Sequence, residues 1–306
     1  MLGTTDQHTK TLIAIVGPTA VGKTAMAIEL AQYFDTEIIS ADSRQFYREM
    51  NIGTAKPTVS ELSQARHHFI DSHSIEEDYS AGDFEREALE TISTLFQKKD
   101  IVIMVGGSGL FVRAVCEGLD NLPKALPETR ERLNNRFDNE GIVPLQAYLK
   151  QVDPVYYDQV DISNAQRVIR ALEVFETTGL PFSDFLQNTK AVRPFKIMTI
   201  GLTMDRTTLY ERINMRVDLM VQDGLLDEVR SLLSYKHKPA LMTVGYSELF
   251  DFLDGKMSWE EAIDKIKQNS RRYAKRQLTW FKKDKDTVWF DPKDKKQIID
   301  YIQSSS

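Results

Sequence analysis

The apolar run Leu12-Ile-Ala-Ile-Val16 passes without a break into Gly17-Pro-Thr-Ala-Val-Gly-Lys-Thr24, and that join sets the fold class. A short, wholly apolar run is what a parallel strand covered on both faces requires. Past the loop, Thr24 to Phe34 carries helix formers with Met26, Leu30 and Phe34 one turn apart. The spacing G-x-x-x-x-G-K-T therefore stands between a strand and a helix, the context in which it cradles phosphate.

Backbone geometry explains the chemistry. Gly17 and Gly22 permit turns that a Cβ resists, so the N–H groups of Pro18-flanking residues, Thr19, Ala20, Val21 and Gly22 can converge on phosphate oxygens at the positive end of the following helix. Lys23 adds a mobile cation, and Thr24 offers a hydroxyl at the usual Mg²⁺ position, with water and phosphate oxygens as the remaining ligands. ATP, GTP and an isoprenoid diphosphate present similar oxygens, so the loop alone does not choose among them.

Four further strands are expected. Thr36 to Ala41 delivers Asp42, Ser43, Arg44 and Gln45 to a carboxyl end, where ligands gather in open parallel sheets. Asp42 there is read either as a group over the phosphate crevice or as an ordinary turn or N-cap residue. Ile101 to Val105 runs into Gly106-Gly-Ser-Gly-Leu110, where many phosphate-loop enzymes carry a metal-organising Asp; here glycines and Ser108 stand instead, open to a close-lying ligand or to a tight turn before a helix from Leu110 to Cys116. Phe195 to Thr203 resumes the strand pattern and Val288 to Phe290 ends it. Ser80 to Lys98 is expected to be an amphipathic helix with Phe84, Ala88, Ile92 and Leu95 on one face.

From about Asn121, Pro123, Pro127, Pro144, Pro154 and Pro181 punctuate a charged, helix-rich stretch up to Pro194 with no buried-strand run. The reading is an α/β protein: a P-loop parallel-sheet core of residues 1–120 plus 195–306, and an inserted helical subdomain of residues 121–194. Within the insertion, Asn164 to Phe175 is helical; Arg167 and Arg170 one turn apart suit a phosphate backbone or a solvated face equally well. Helices are also expected at Thr207 to Leu219, with Arg212 and Arg216 on one side, at Leu225 to Leu233, and from Trp259 onward.

Composition narrows the classes. At 306 residues and 42% hydrophobic content the chain builds a full core, and a net charge of -6 gives no global attraction to nucleic acid. Local clustering of cations is therefore informative. Lys265, Lys267, Arg271, Arg272, Lys275, Arg276, Lys282, Lys283 and Lys285 crowd the last long helix with Tyr273, Trp280 and Phe281 interleaved, a pattern suited to stacking and phosphate contacts on RNA. Cys116 is the only cysteine, so no intrachain disulfide forms, and it is expected to be a small buried side chain. The polar start and the short apolar run after it match neither a signal segment nor a membrane span, and a cytoplasmic, membrane-free location is expected. Adjacent His67 and His68 would point in different directions, and no second ligand pair is spaced to complete a zinc shell. The tail Ser304-Ser-Ser306 is expected to be loose.

Together, Gly17 to Thr24, Ser40-Ala-Asp-Ser-Arg-Gln45, Gly106-Gly-Ser-Gly-Leu110, Arg167-Val-Ile-Arg-Ala-Leu-Glu173 and Ala274-Lys-Arg-Gln-Leu-Thr-Trp280 resemble, in order, the bacterial tRNA dimethylallyltransferases. The resemblance implies transfer of a dimethylallyl group from its diphosphate to the exocyclic amine of the adenosine 3′-adjacent to the anticodon, with Mg²⁺ as cofactor. It puts the diphosphate on Gly17, Pro18, Thr19, Ala20, Val21, Gly22, Lys23, Thr24 and Arg216, and makes Asp42 the catalytic base with Thr19 and Arg216 as its catalytic partners. It puts tRNA on Asp42, Ser43, Arg44, Gln45, Ser108, Arg130, Gln166, Arg167, Val168, Ile169 and Arg170. Arg276, on the basic helix, is a further expected contact with the anticodon stem-loop. Ser108 stands where the family has threonine and Phe111 where it has tyrosine. A monomer is expected. The rival from another reaction class is an ATP-dependent kinase of a small molecule or nucleotide, which would use the same loop and a strand-end Asp but gives the basic helix no task.

Overall fold

The computed structural model describes residues 10–124, 126–187 and 189–305. Six parallel strands, β1 (Thr11–Val16), β2 (Ile38–Ser40), β3 (His67–His68), β4 (Ile101–Val105), β5 (Lys196–Leu202) and β6 (Val288–Phe290), form one sheet in the order β3-β2-β4-β1-β5-β6. β1 lies between β4 and β5, with Leu12 opposite Val102 and Ile197. Its alternate side chains serve two layers. Ile13 and Ile15 pack with Met26 and Leu30 of the loop helix Lys23–Tyr33, while Leu12, Ala14 and Val16 pack with Phe84 and Ile92 of helix Ala81–Phe96. This two-sided cover is why the run is apolar throughout.

The structure departs from the local expectations at four places. The second strand is confined to Ile38–Ser40; Thr36 before it is turned back toward the preceding helix, its N–H donating to the Ala31 carbonyl at 2.9 Å and its hydroxyl to the Ile101 carbonyl at 2.5 Å. Beside it, β3 is an edge strand of two residues, too short to leave a periodic signal. Its histidines do diverge: His68 Nε2 meets Glu37 at 2.6 Å and His67 Nδ1 meets the Ala65 carbonyl at 2.9 Å, and no metal-ligand cluster exists among the described residues. Third, the tail is ordered through Ser305 as helix Lys295–Ser305, since Ile298, Ile299 and Ile302 bury one face against the first core. Ser306 lies outside the described residues. Cys116 is only partly buried, at the edge of the second core.

The chain forms two compact units, one built from residues up to Glu117 and from Val192 onward, the other from Gly118–Ala191. The boundaries stand three residues before those read from the prolines, for local reasons. Gly118 takes a positive φ of 81° just past helix Gly109–Glu117. On the return, Arg193 already belongs to the sheet unit: it donates to the Ala114 and Val115 carbonyls and pairs with Glu85 at 2.6 Å. The second unit packs helices Pro127–Glu140, Val143–Val152 and Ala165–Thr178 around Leu133, Leu145, Leu149, Val168 and Leu172.

Candidate active site

The phosphate loop is held open by its glycines. Gly17 and Gly22 have φ of 144° and 109°, and a Cβ on Gly17 would stand 2.5 Å from the Leu202 carbonyl oxygen. Pro18 and Val21 are buried; Val21 can offer a ligand its backbone N–H, whereas Pro18 has none and serves to shape the loop. Ala20 also has a positive φ, 64°, and its carbonyl accepts a hydrogen bond from Arg212 Nε at 2.9 Å. Lys23 Nζ donates to the Pro18 carbonyl at 2.8 Å, and Arg216 Nη1 donates to the Thr19 hydroxyl at 3.1 Å. Both cations thus close on the loop itself.

Asp42 follows β2 and takes both roles the sequence left open. Its Oδ1 accepts from the Arg44 N–H at 3.1 Å, a turn contact, and the side chain also lines a cavity of about 520 Å³. That cavity gathers Thr19, Gly22, Lys23, Thr24, Gln45 and Arg216 around it. Burial lowers Lys23 from 10.5 to about 8, Asp42 working against that shift and Arg216 with it. Burial also lowers Arg216, and Asp42 opposes it. Lys23, Arg212 and Arg216 against Asp42 and Glu61 leave the cavity lining short of negative charge.

The strand-end glycines allow close packing on the other wall. A Cβ on Gly106 would fall 2.4 Å from the Ala41 carbonyl oxygen, and one on Gly109 would meet the Trp280 ring at 2.2 Å. Ser108 holds Ser43, accepting from its N–H at 3.0 Å and sharing a hydroxyl contact of 3.1 Å. Gln45 spends its amide on the Thr54 and Ala55 carbonyls, at 3.1 and 3.2 Å. Arg44 is lowered by burial and feels Asp42, Tyr47 and Tyr273.

Two residues of the long helix Trp259–Phe281 belong to this site and were not singled out as site residues from the sequence. Gln277 accepts from the Thr19 N–H at 2.8 Å and donates to the Gly107 carbonyl at 2.9 Å, tying the phosphate loop to the glycine loop. Tyr273, one turn earlier, lines the cavity with 37% of its surface exposed; burial of its phenol, then Asp42, push it up to about 12. Arg276 stacks over the Tyr273 ring at 5.7 Å. The signal for Gln277 was a glutamine in the middle of a basic run, on the face that turns inward. Of the cations in that run, Lys267 is paired with Asp218 and Arg271 with Asn214, while Arg272, Lys275 and Arg276 are exposed; Lys282 caps the helix, and Lys283 and Lys285 lie beyond it.

In the helical unit the expected RNA contacts divide. Gln166 and Arg167 are exposed. Val168 and Ile169 are fully buried in that unit's core, so their side chains cannot reach RNA; the helix turns these two inward between its polar neighbours. Arg130 and Arg170 both approach the buried Glu173 at 3.3 Å, and Arg170 also donates to the Pro123 carbonyl at 2.9 Å. Their charges are thus partly spent inside the unit. Arg130 keeps 46% exposure and bonds Gln166 at 3.0 Å, which leaves a polar, cationic edge on this helix pair.

Among the described residues no helix is long and apolar enough to cross a membrane. A family model described as IPP transferase matches residues 45–284. A tRNA dimethylallyltransferase of Christiangramia forsetii is 53% identical over 294 residues, covering 96% of this chain and 97% of that one. A solved full-length tRNA isopentenylpyrophosphate transferase of Bacillus halodurans superposes with a TM-score of 0.71 at 39% identity, covering 96% of each chain. A eukaryotic dimethylallyltransferase acting on tRNA superposes with a TM-score of 0.74 at 27% identity, covering 89% of this chain and 69% of that one.

Proposed function

This chain belongs to the IPP transferase family, and from that premise we propose that it transfers a dimethylallyl group from dimethylallyl diphosphate to tRNA. The acceptor is the exocyclic amine of the adenosine 3′-adjacent to the anticodon, as the resemblance in sequence implies. The observation that carries the reading is the meeting of the phosphate loop, Arg216 and Asp42 in one cavity.

The allylic carbon–oxygen bond breaks with negative charge growing on the departing diphosphate. Loop N–H groups, Lys23 and Arg216 meet that charge in a desolvated crevice, so they stabilise the transition state more than the ground state. Adenine's exocyclic amine is a poor nucleophile. Asp42 accepts a hydrogen bond from it and takes its proton as the nitrogen–carbon bond forms. The base must leave its stack to get there, and Tyr273 with Arg276 offers a surface for what stacking is lost.

The donor set fits Mg²⁺: Thr24, Ser40 and Asp42 line the cavity with the hard oxygens that this ion takes beside water and phosphate oxygens. Thr24 would hold it, and it would neutralise charge on the leaving diphosphate. The remaining tRNA contacts we assign to Ser43, Arg44, Gln45, Ser108, Arg276, Arg130, Gln166, Arg167 and Arg170, the last working with what charge Glu173 leaves it. We assign the chain to the cytoplasm, where its tRNA substrate would be met, as a monomer.

The test mixes the protein with labelled dimethylallyl diphosphate, Mg²⁺ and unmodified tRNA bearing the target adenosine. Label in RNA with release of pyrophosphate is expected. Release of ADP from ATP with no label in RNA would point to the kinase.

A further inference from the structure

Glu228 lies on helix Leu225–Ser231, among the residues that do not line the cavity, yet its carboxylate is one of the most heavily used in the protein. It accepts from three successive backbone N–H groups, Asn51 at 3.0 Å, Ile52 at 2.7 Å and Gly53 at 3.0 Å, and from the Tyr246 hydroxyl at 2.6 Å. Tyr246 is fully buried, and its ring presses on Gly53 so closely that a Cβ there would stand 2.5 Å away. Burial and then Glu228 raise the Tyr246 phenol, which stays a donor.

The turn so held is the start of the cavity wall. Thr54 and Ala55, the next two residues, offer the carbonyls that bind Gln45, and Ala55, Pro57 and Gln45 line the cavity beside Asp42. Gln45 closes the turn opened by Asp42, its N–H donating to the Asp42 carbonyl at 3.0 Å. Lys56 fastens the far side, with Nζ on the Tyr47 carbonyl at 2.5 Å and on Asn51 Oδ1 at 3.0 Å, and paired with Asp71. Glu228 holds all three N–H groups of residues 51–53, and the Tyr246 phenol shares the Gly53 N–H with it.

We propose that Glu228 is a positioning residue for the acceptor side of the site: through the 51–55 turn and Gln45 it sets where Asp42 stands relative to the incoming base. Three N–H donors of one turn on one charged carboxylate fix that turn more firmly than a single neutral contact would, because each bond is charge-assisted and all three must be exchanged for water together. The phosphate loop is held separately, by Gln277, Arg212 and Arg216. Losing Glu228 should therefore disturb the acceptor and spare the diphosphate.

This inference rests on the prenyl-transfer reading, and the test separates the two. Glu228→Gln turns one acceptor oxygen into a donor facing N–H and O–H groups, and Tyr246→Phe removes the phenol contact alone. Each is compared with wild type for kcat and for KM toward tRNA, and for affinity toward inorganic pyrophosphate, which calls on the loop and Arg216 and not on the 51–55 turn. Glu228→Gln should lower kcat/KM for tRNA roughly 10- to 100-fold while pyrophosphate affinity stays within about twofold; Tyr246→Phe should follow in the same direction at roughly 3- to 10-fold. Normal acceptor kinetics in Glu228→Gln, or an equal loss of pyrophosphate binding, would overturn the assignment. Absence of transfer by the wild type itself would overturn the reaction assigned above, and with it the acceptor role of Glu228.

Discussion

Raising the pH from about 7 to about 9 should weaken binding of dimethylallyl diphosphate in the absence of tRNA about tenfold, and Lys23 should account for the change. Its ammonium is brought from 10.5 to about 8 in the unliganded site, chiefly by burial, with Arg216 adding to the shift and Asp42 opposing it. A diphosphate in the loop supplies the missing counter-charge and returns the group toward its ordinary value. The gap of about 2.5 units corresponds to about 3 kcal/mol at most, or about 300-fold in affinity, approached only as pH nears 10.5. Between about 8 and 10.5 binding takes up a proton, so affinity falls as pH rises. The ligand is a constant over this window, because a phosphate's last proton leaves near about pH 6. The unliganded fold behaves oppositely: its unfolded chain binds the Lys23 proton more tightly, so this group's contribution to stability improves as pH climbs from about 8 to 10.5. Calorimetry in buffers of different ionisation enthalpy counts the proton directly. Lys23→Met should bind weakly at pH 7 and lose the slope; a flat affinity in wild type, or a slope that survives in Lys23→Met, would refute the reasoning.

Arg216→Ala should cost roughly 100- to 1000-fold in the transfer rate if, as proposed, its desolvated guanidinium meets the leaving group, and single-turnover rates at saturating substrates would show it. Tyr273→Ala should weaken tRNA binding by roughly 5- to 100-fold with little effect on pyrophosphate, whereas Tyr273→Phe should bind tRNA nearly normally, as filter-binding titrations would report. Gly106→Ala should abolish transfer and lower the melting temperature, because its Cβ would sit 2.4 Å from the Ala41 carbonyl oxygen, which a rigid strand end cannot yield.

The parts legible from sequence were those in which one local rule speaks alone. β1 and its loop were readable because a strand covered on both faces runs apolar from Leu12 to Val16, and Gly17 and Gly22 sit where φ is positive. Asp42 and Arg216 were located by the strand-end rule, by helical spacing and by the family's motifs. Gln277 stood inside a quoted motif without being singled out, and Glu228 left no signal at all, for the same physical reason: each is a polar residue whose work is done on backbone groups far away in the chain, and such contacts leave no periodicity. Val168 and Ile169 failed in the opposite sense, since a motif marks a helix without saying which of its residues face inward. The helix Lys295–Ser305 was missed because its polar ending hid three isoleucines on one face.

Proton transfer to Asp42 while the loop and Arg216 hold the departing diphosphate is the step to be measured most directly. Single-turnover transfer of labelled dimethylallyl to tRNA, run beside tRNA affinity for wild type and Asp42→Ala, isolates it. A fall in rate of roughly 100-fold or more with tRNA affinity kept within about threefold is expected. Near-normal single-turnover transfer by Asp42→Ala would contradict the account.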